Sequence, residues 1–142
     1  MKKKILTLLT ITAFVVSMGV TSLNASQGKK TKPFLIQEKL PHLTGIVKIL
    51  WNDKDLALTN EQKKKLMVVR KDTMTGAKSL NKEIIALENE IVKASLNGAS
   101  PESLKSKVSA LASLRAEATM VHLACIYNTR KILTKKQLSI VE

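Results

Sequence analysis

Two copies of a five-residue pattern, Leu-Thr-x-x-Gln, constrain the fold of this chain more than any other feature. In each copy the Thr hydroxyl can accept a hydrogen bond from a free N–H of the first helical turn, and the Gln can reach back to the N–H of the Thr. Each copy therefore predicts that a helix begins directly after its Thr. The residues that form the two boxes are Leu58, Thr59, Gln62, Leu133, Thr134 and Gln137.

The segment between the boxes has the pattern of a helical hairpin. Apolar or small residues recur every three or four positions on both sides of Gly98, which is typical of two helices that share a seam. Asn97-Gly98 is a strong helix stop, and Ser100 followed by Pro101 is a strong helix start. So short a turn makes the helices antiparallel neighbours. The predicted seam residues are Leu66, Thr73, Ala77, Leu80, Ile84, Leu87, Ile91 and Ala94, and Leu104, Val108, Leu111, Arg115, Ala118, His122, Cys125 and Thr129.

A short helix is predicted on each side of the hairpin. The first covers His42 to about Asn52, with a broad apolar face, and the last follows the second box to Glu142. The sequence therefore predicts an all-α fold: a long antiparallel helical hairpin with short N-terminal and C-terminal helices. Two helices cannot enclose a core alone, so the first helix, a second subunit or both must cover them. We accordingly expect a homodimer.

The N-terminal residues indicate export. Lys2 to Lys4 are followed by an apolar stretch from Ile5 to Val20, and Leu23-Asn24-Ala25 can end a signal peptide. The alternative is an uncleaved membrane anchor, although the stretch is short and rich in Thr for a span of about 20 residues. The predicted organisation is a signal peptide over residues 1–25, a flexible basic lead-in over 26–40 and a helical domain over 41–142.

The positive charge narrows the range of partners. Cleavage after Ala25 leaves 21 basic and 11 acidic residues, a formal charge of 21 − 11 = +10. Nucleic acid is not expected as a partner, because the exported part has only Phe34, Trp51 and Tyr127 for base stacking and lacks a Gly-rich phosphate loop. The charge can serve as a solubilising surface, or it can attract anionic membrane headgroups or acidic unfolded chains.

These features resemble the periplasmic Spy/CpxP family, which includes the metal-responsive relatives ZraP and CnrX. The resemblance rests on the signal peptide, the two boxes and the hairpin between them, and it covers roughly residues 40–142. It implies a periplasmic, cradle-shaped, all-α homodimer. It also implies one of three activities: ATP-independent chaperone action on unfolded proteins, restraint of envelope-stress signalling, or binding of transition metals.

His122 and Cys125 form the second notable group. They are three residues apart, so both project from the seam face of one helix. If the hairpin folds about Gly98, paired residue numbers sum to about 197, which places Cys125 near residue 72. The only other histidine, His42, is expected about one turn away, and Met74 is close enough to add a thioether. Such donors suit Cu, Zn, Ni or Co ions. The alternative is a Cys and a His that are simply packed in the core.

Catalysis has little support in the sequence. A Cys–His pair can make an activated nucleophile, but this pair lies on a packing seam without cleft-forming loops or an orienting carboxylate. We therefore expect no enzyme activity and no required cofactor. The leading hypothesis is a periplasmic chaperone or envelope-stress accessory protein that binds unfolded or envelope proteins. The alternative is a heavy-metal sensor or resistance protein that uses His42, His122 and Cys125.

Overall fold

The computed structural model describes residues 33–36 and 39–142, which belong to one compact unit, Thr31–Glu142. The fold is all-α, as predicted, and no β-strand occurs in these two ranges. The predicted signal peptide and most of the predicted lead-in lie outside the described residues. No helix within the described part of the chain is both long enough and apolar enough to cross a membrane. The helices are α1 (Leu43–Ile49), α2 (Asn60–Leu96), α3 (Pro101–Ile132) and α4 (Lys135–Val141).

The long helices begin and end where the sequence predicted. Thr59 caps α2, and Ser100 caps α3 by accepting a hydrogen bond from the Ser103 N–H, with Pro101 in the first turn. At the end of α2, Gly98 adopts a positive φ of 84°. The Ala99 N–H then donates to the Ala94 carbonyl and the Gly98 N–H to the Ser95 carbonyl. This is a Schellman motif, and it turns the chain back into α3 within a few residues.

The antiparallel register agrees with the predicted sum of 197. A Cβ placed on Gly76 would lie 3.5 Å from a methyl group of Val121. Nearer the turn, Lys107 Nζ lies 2.8 Å from Glu90 Oε2. The predicted seam residues are buried or half-buried with one exception, Val108, which is exposed. Val108 lies in the part of the hairpin where α2 and α3 pack only on each other, so the seam there is not fully buried.

The first helix is shorter than predicted. It ends at Ile49 instead of near Asn52, and a series of turns follows. Within these turns the Asp53 carboxylate Oδ1 accepts hydrogen bonds at 2.9 Å from the N–H groups of Asp55 and Leu56. These side-chain bonds favour a turn over continued helix. The turn places Leu56 fully inside the core.

The main core lies at the open end of the hairpin, where α1 and α4 cover α2 and α3. Its buried residues come from α1, α2, α4 and two connecting segments, and α3 adds the half-buried Ile126 and Ile132: the buried ones are Leu43, Val47, Leu56, Leu66, Leu133 and Val141. We call this end the base (residues 42–74 and 122–142) and the rest of the hairpin the arm (residues 75–121). The first helix thus does cover the hairpin at the base, whereas the arm has no third helix among the described residues.

Candidate functional site

The two boxes form capping boxes, as predicted, and they also bind each other. In each box the Thr hydroxyl accepts a hydrogen bond from the backbone N–H of the Gln. The side-chain oxygen Oε1 of that Gln accepts a hydrogen bond from the backbone N–H of the Thr. The two Gln side chains then pair: Gln62 Nε2 donates to Gln137 Oε1 at 2.8 Å, and Gln137 Nε2 donates to Gln62 Oε1 at 3.2 Å. We call this arrangement the glutamine clasp (Thr59, Gln62, Thr134 and Gln137).

The clasp also donates hydrogen bonds to two backbone carbonyl groups at helix boundaries. Gln62 Nε2 donates to the Ile132 carbonyl at the end of α3, and Gln137 Nε2 donates to the Leu56 carbonyl before α2, both at 2.9 Å. Only an amide can supply both the donors and the acceptors that this network needs, because a carboxylate offers acceptors alone. The Gln of each box is therefore required for the contact between boxes as well as for capping. Sequence reasoning found the two caps and missed their contact.

The predicted metal-ligating residues lie around one cavity in the base, of about 330 Å³, which His42, Met74, His122 and Cys125 all line. The imidazole rings of His42 and His122 stack, with centroids 4.7 Å apart and planes 15° from parallel. Residue 42 directly precedes α1, and residues 122 and 125 occupy consecutive turns of α3. The hairpin register therefore brings together residues that are far apart in the sequence.

The four residues differ in exposure. Cys125 is a free thiol that is 5% exposed, and its Sγ lies 3.6 Å from the hydroxyl oxygen of Thr44. His122 is also buried, whereas His42 is exposed and Met74 is more than half exposed. Because the thiol is buried inside one hairpin, it is shielded from a second subunit. This geometry does not favour a disulfide between subunits.

The cavity does not hold a preformed metal site. Within the described residues, no group of three His, Cys, Asp or Glu side chains is placed to hold a metal ion. The stacked pair of imidazoles and the thiol are the available donors, together with the Met74 thioether. Their use as ligands therefore remains a prediction, and it would require side chains to move.

Other residues that line the cavity were not predicted to belong to the site. Phe34 lies against His122, with ring centroids 4.8 Å apart, and Thr44 and Arg70 line the walls. Beside Phe34, the N–H of Leu35 donates to Thr119 Oγ1 of α3 at 2.8 Å. This described part of the predicted flexible lead-in is therefore packed on α3. Its only sequence signal was an isolated apolar run, Phe34 to Ile36, within a basic segment.

A line of exposed apolar side chains runs along α2. Met67, Met74, Ile85, Val92 and Leu96 are separated by 7, 11, 7 and 4 residues, which are close to whole numbers of helical turns. They therefore lie on one side of the helix, over about 44 Å of its length. Each is between 44% and 83% exposed. We call these five residues the apolar stripe.

Basic charge is concentrated in the base. The base contains eleven Lys and Arg and five Asp and Glu residues, a formal charge of +6, whereas the arm contains six and five, a formal charge of +1. In both regions a Lys beside an exposed Glu lowers the pKa of the carboxyl group. A hydrogen bond from Lys65 and its charge lower the pKa of Glu61, and Lys107 has the same effect on the pKa of Glu90.

No protein-family model, curated protein or solved structure matches this sequence. The resemblance to the Spy/CpxP family therefore stays a prediction. The two boxes and the helical hairpin between them are the features that support it.

Proposed function

We propose that this protein is a periplasmic, ATP-independent chaperone of the Spy/CpxP type, or an envelope-stress accessory protein that binds unfolded or partner proteins. The observation that carries the proposal is the apolar stripe. Isolated apolar residues on a surface are common and need no explanation. Five of them aligned on one side of α2 form a row of apolar contact points, and groups of exposed apolar side chains often mark sites of interaction.

The shape of the stripe suits an unfolded chain. An unfolded protein presents scattered apolar side chains along its length, so a long and shallow contact line can hold many different sequences through weak contacts. Met side chains adapt well to varied partners, because they are unbranched and polarisable. Held in this way, a client is released by simple dissociation, and no nucleotide is needed.

The charge of the base gives a physical reason for rapid capture. Long-range attraction raises the rate at which acidic partners meet a basic surface, and it weakens as salt is added. Retention by apolar contact is much less sensitive to salt. The proposal therefore expects the rate of client capture to fall with ionic strength, while the lifetime of the complex changes little.

The test compares two triple variants of the stripe in an aggregation assay without ATP. The variant Ile85→Ser, Val92→Ser and Leu96→Ser removes apolar surface, and the control Ile85→Leu, Val92→Ile and Leu96→Ile keeps it. All three positions are exposed, so both variants should retain the wild-type helix content. Light scattering of a heat-unfolded client should show suppression by the wild-type protein and the control, with most of it lost in the serine variant. Failure of the wild-type protein to suppress aggregation would refute the proposal.

Metal binding is the second candidate function, and one observation favours it. His42, His122, Cys125 and Met74 line a single cavity, although they come from three separate parts of the chain. A metal ion that joined His42 to α3 would pin α1 to the hairpin and could thereby alter what the base exposes. This activity can coexist with chaperone activity, because three of the five stripe residues, Ile85, Val92 and Leu96, lie in the arm, although Met74 belongs to both the stripe and this cavity.

Thermal melting tests the metal hypothesis. An ion that binds only the folded chain raises its melting temperature. The reduced protein should therefore melt several degrees higher with one of Cu(I), Zn(II), Ni(II) or Co(II), and this shift should disappear in Cys125→Ser and in His42→Ala. If none of these ions shifts the melt, His122 and Cys125 are packing residues of the base.

A further inference from the structure

A second cavity, of about 380 Å³, lies between α1 and α2 in the base. Val47, Trp51, Leu66 and Met67 supply apolar lining. Its volume falls within the range of about 300–1,000 Å³ that is usual for small-molecule sites, and such sites are mostly apolar with a few convergent polar groups. The cavity is open to solvent, because Met67 is 63% exposed.

The polar groups of this cavity are all positive or neutral. Lys48 and Arg70 line it with Thr44, and its described lining contains no Asp or Glu. The ammonium group of Lys63 lies 5.8 Å from the centre of the Trp51 ring. Among the described residues, neither Lys48 nor Arg70 forms an ion pair. Within the described residues, the cavity thus offers positive charge without an acidic partner, beside an apolar wall.

Arg70 and Thr44 stand where this cavity meets the one that contains His122. Both residues line both cavities. A ligand head group at this junction can therefore reach a guanidinium group and a hydroxyl group, while a chain attached to it extends over the apolar wall. An Arg guanidinium binds a carboxylate through two parallel hydrogen bonds, which makes it well suited to this type of ligand.

We propose that the groove between α1 and α2 binds a long-chain carboxylate, that is, a free fatty acid. The carboxylate pairs with Arg70 and accepts a hydrogen bond from Thr44. The acyl chain lies against Val47, Trp51 and Met67. A lipid-like chain matches this lining better than a peptide does, because a bound peptide backbone needs hydrogen-bond partners that the apolar wall does not offer.

Trp51 allows a direct test, since it is the only tryptophan in the chain. Bromine atoms quench tryptophan fluorescence at contact distance, so dibromostearate in the groove should quench Trp51 in a saturable way. The titration uses the full chain and concentrations at which the fatty acid is monomeric. Unbrominated stearate should compete with the quencher and restore the emission.

Two variants separate binding in the groove from unspecific association. Arg70→Gln removes the carboxylate partner and should weaken binding by at least about tenfold, since the loss of even one of the two charge-assisted hydrogen bonds has this effect. Lys71→Gln is the matched control, because it removes the same charge from the next, exposed residue of α2 and should change affinity less than about twofold. The methyl ester of dibromostearate should bind the wild-type protein about as weakly as the acid binds Arg70→Gln.

A third variant tests the placement of the chain. Met67→Glu puts a carboxylate on the apolar wall at an exposed position and should abolish quenching without loss of helix content. Equal quenching in Arg70→Gln and Lys71→Gln, or no quenching in the wild-type protein, would overturn the proposal. It would also be wrong if stearate had no effect while an apolar peptide with a free C-terminal carboxylate shifted the Trp51 emission in an Arg70-dependent way.

Discussion

The base and the arm are built from the same two helices, yet they bury their side chains very differently. Within the described residues, ten side chains of the base are buried, compared with three in the arm: Ile84, Ala118 and Thr119. The base has α1 and α4 to cover the hairpin and the glutamine clasp to hold them. The described part of the arm has the α2–α3 seam and, at its border with the base, the contact of Leu35 with Thr119. Two helices can align with each other, but a third element is needed to exclude water from both.

Ion pairs contribute to the arm where apolar burial is limited. Arg115 occupies a seam position and pairs with Glu88, with both side chains less than a third exposed, and Lys107 pairs with Glu90 closer to the turn. The arm therefore combines a thin apolar seam with charged contacts, and its outer surface carries most of the apolar stripe. We infer that the base provides the stability of the fold, while the arm supplies surface.

The largest expected difference between the base and the arm is the loss of folding stability when one leucine is replaced by alanine. Leu66→Ala empties a fully buried site in the base and should lower the free energy of unfolding by about 3 kcal/mol. Leu111→Ala makes the same chemical change at a half-buried site in the arm and should cost about 1 kcal/mol. Urea denaturation followed by circular dichroism measures both values. Equal losses would show that the arm is packed as well as the base.

Disruption of the glutamine clasp should have the next largest effect on the free energy of unfolding. Gln137→Ala removes a buried amide and leaves the Leu56 carbonyl and the Gln62 side chain without their partner, which should cost about 2 kcal/mol. Gln137→Glu should cost a similar amount near neutral pH, because a carboxylate cannot donate to either acceptor. Urea denaturation again measures the effect.

Two comparisons show whether the clasp acts as a unit. Ser139→Ala, an exposed change in the same helix, should alter stability by less than about 0.5 kcal/mol. The double variant Gln62→Ala with Gln137→Ala should lose less than the two single variants added together, because each single variant already breaks the contact between the boxes. Additive losses would mean that the two boxes act as separate caps.

The two ion pairs of the arm should differ in how much they stabilise the fold, because they differ in exposure to solvent. Arg115→Gln disrupts a pair that is largely shielded from solvent and should destabilise the fold by about 1 kcal/mol. Lys107→Gln disrupts a pair that is roughly half exposed, and it should destabilise the fold less than Arg115→Gln does. Thermal melting in low and high salt would distinguish them, since salt should weaken the exposed pair more. An equal response to salt would contradict this assignment.

The smallest expected effect is a change in the pKa of one carboxyl group, that of Glu90. Lys107 lowers the pKa of Glu90 from 4.5, so the charged carboxylate is favoured in the folded arm. The stabilisation is present above pH 4.5 and is lost as the pH falls through the lowered pKa of the folded state. Carboxyl NMR titration should find the pKa of Glu90 below 4.5 in the wild-type protein and close to it in Lys107→Gln. An unchanged pKa in the variant would exclude Lys107 as the cause.

Local sequence signals determined the helices of this protein. The two caps at Thr59 and Thr134, the stop at Gly98 and the start at Ser100 act over a few residues, so their effect could be predicted without the rest of the chain. The position of the turn at Gly98 then determined the hairpin register, and a second fold-back between α1 and α2 placed His42 near His122. The one misplaced boundary is the end of α1, where a run of turns, including the one that Asp53 stabilises, replaces the last predicted turn of helix.

Tertiary structure decided everything that depends on contact between distant segments. Three examples are the pairing of Gln62 with Gln137, the packing of Phe34 on His122 and the position of Arg70 between two cavities. In each case the local sequence around one residue does not indicate its partner. Such contacts arise only when α1 and α4 close over the open end of the hairpin. The physical reason is that capping and periodicity are local properties, whereas burial and hydrogen bonding between segments depend on the whole fold.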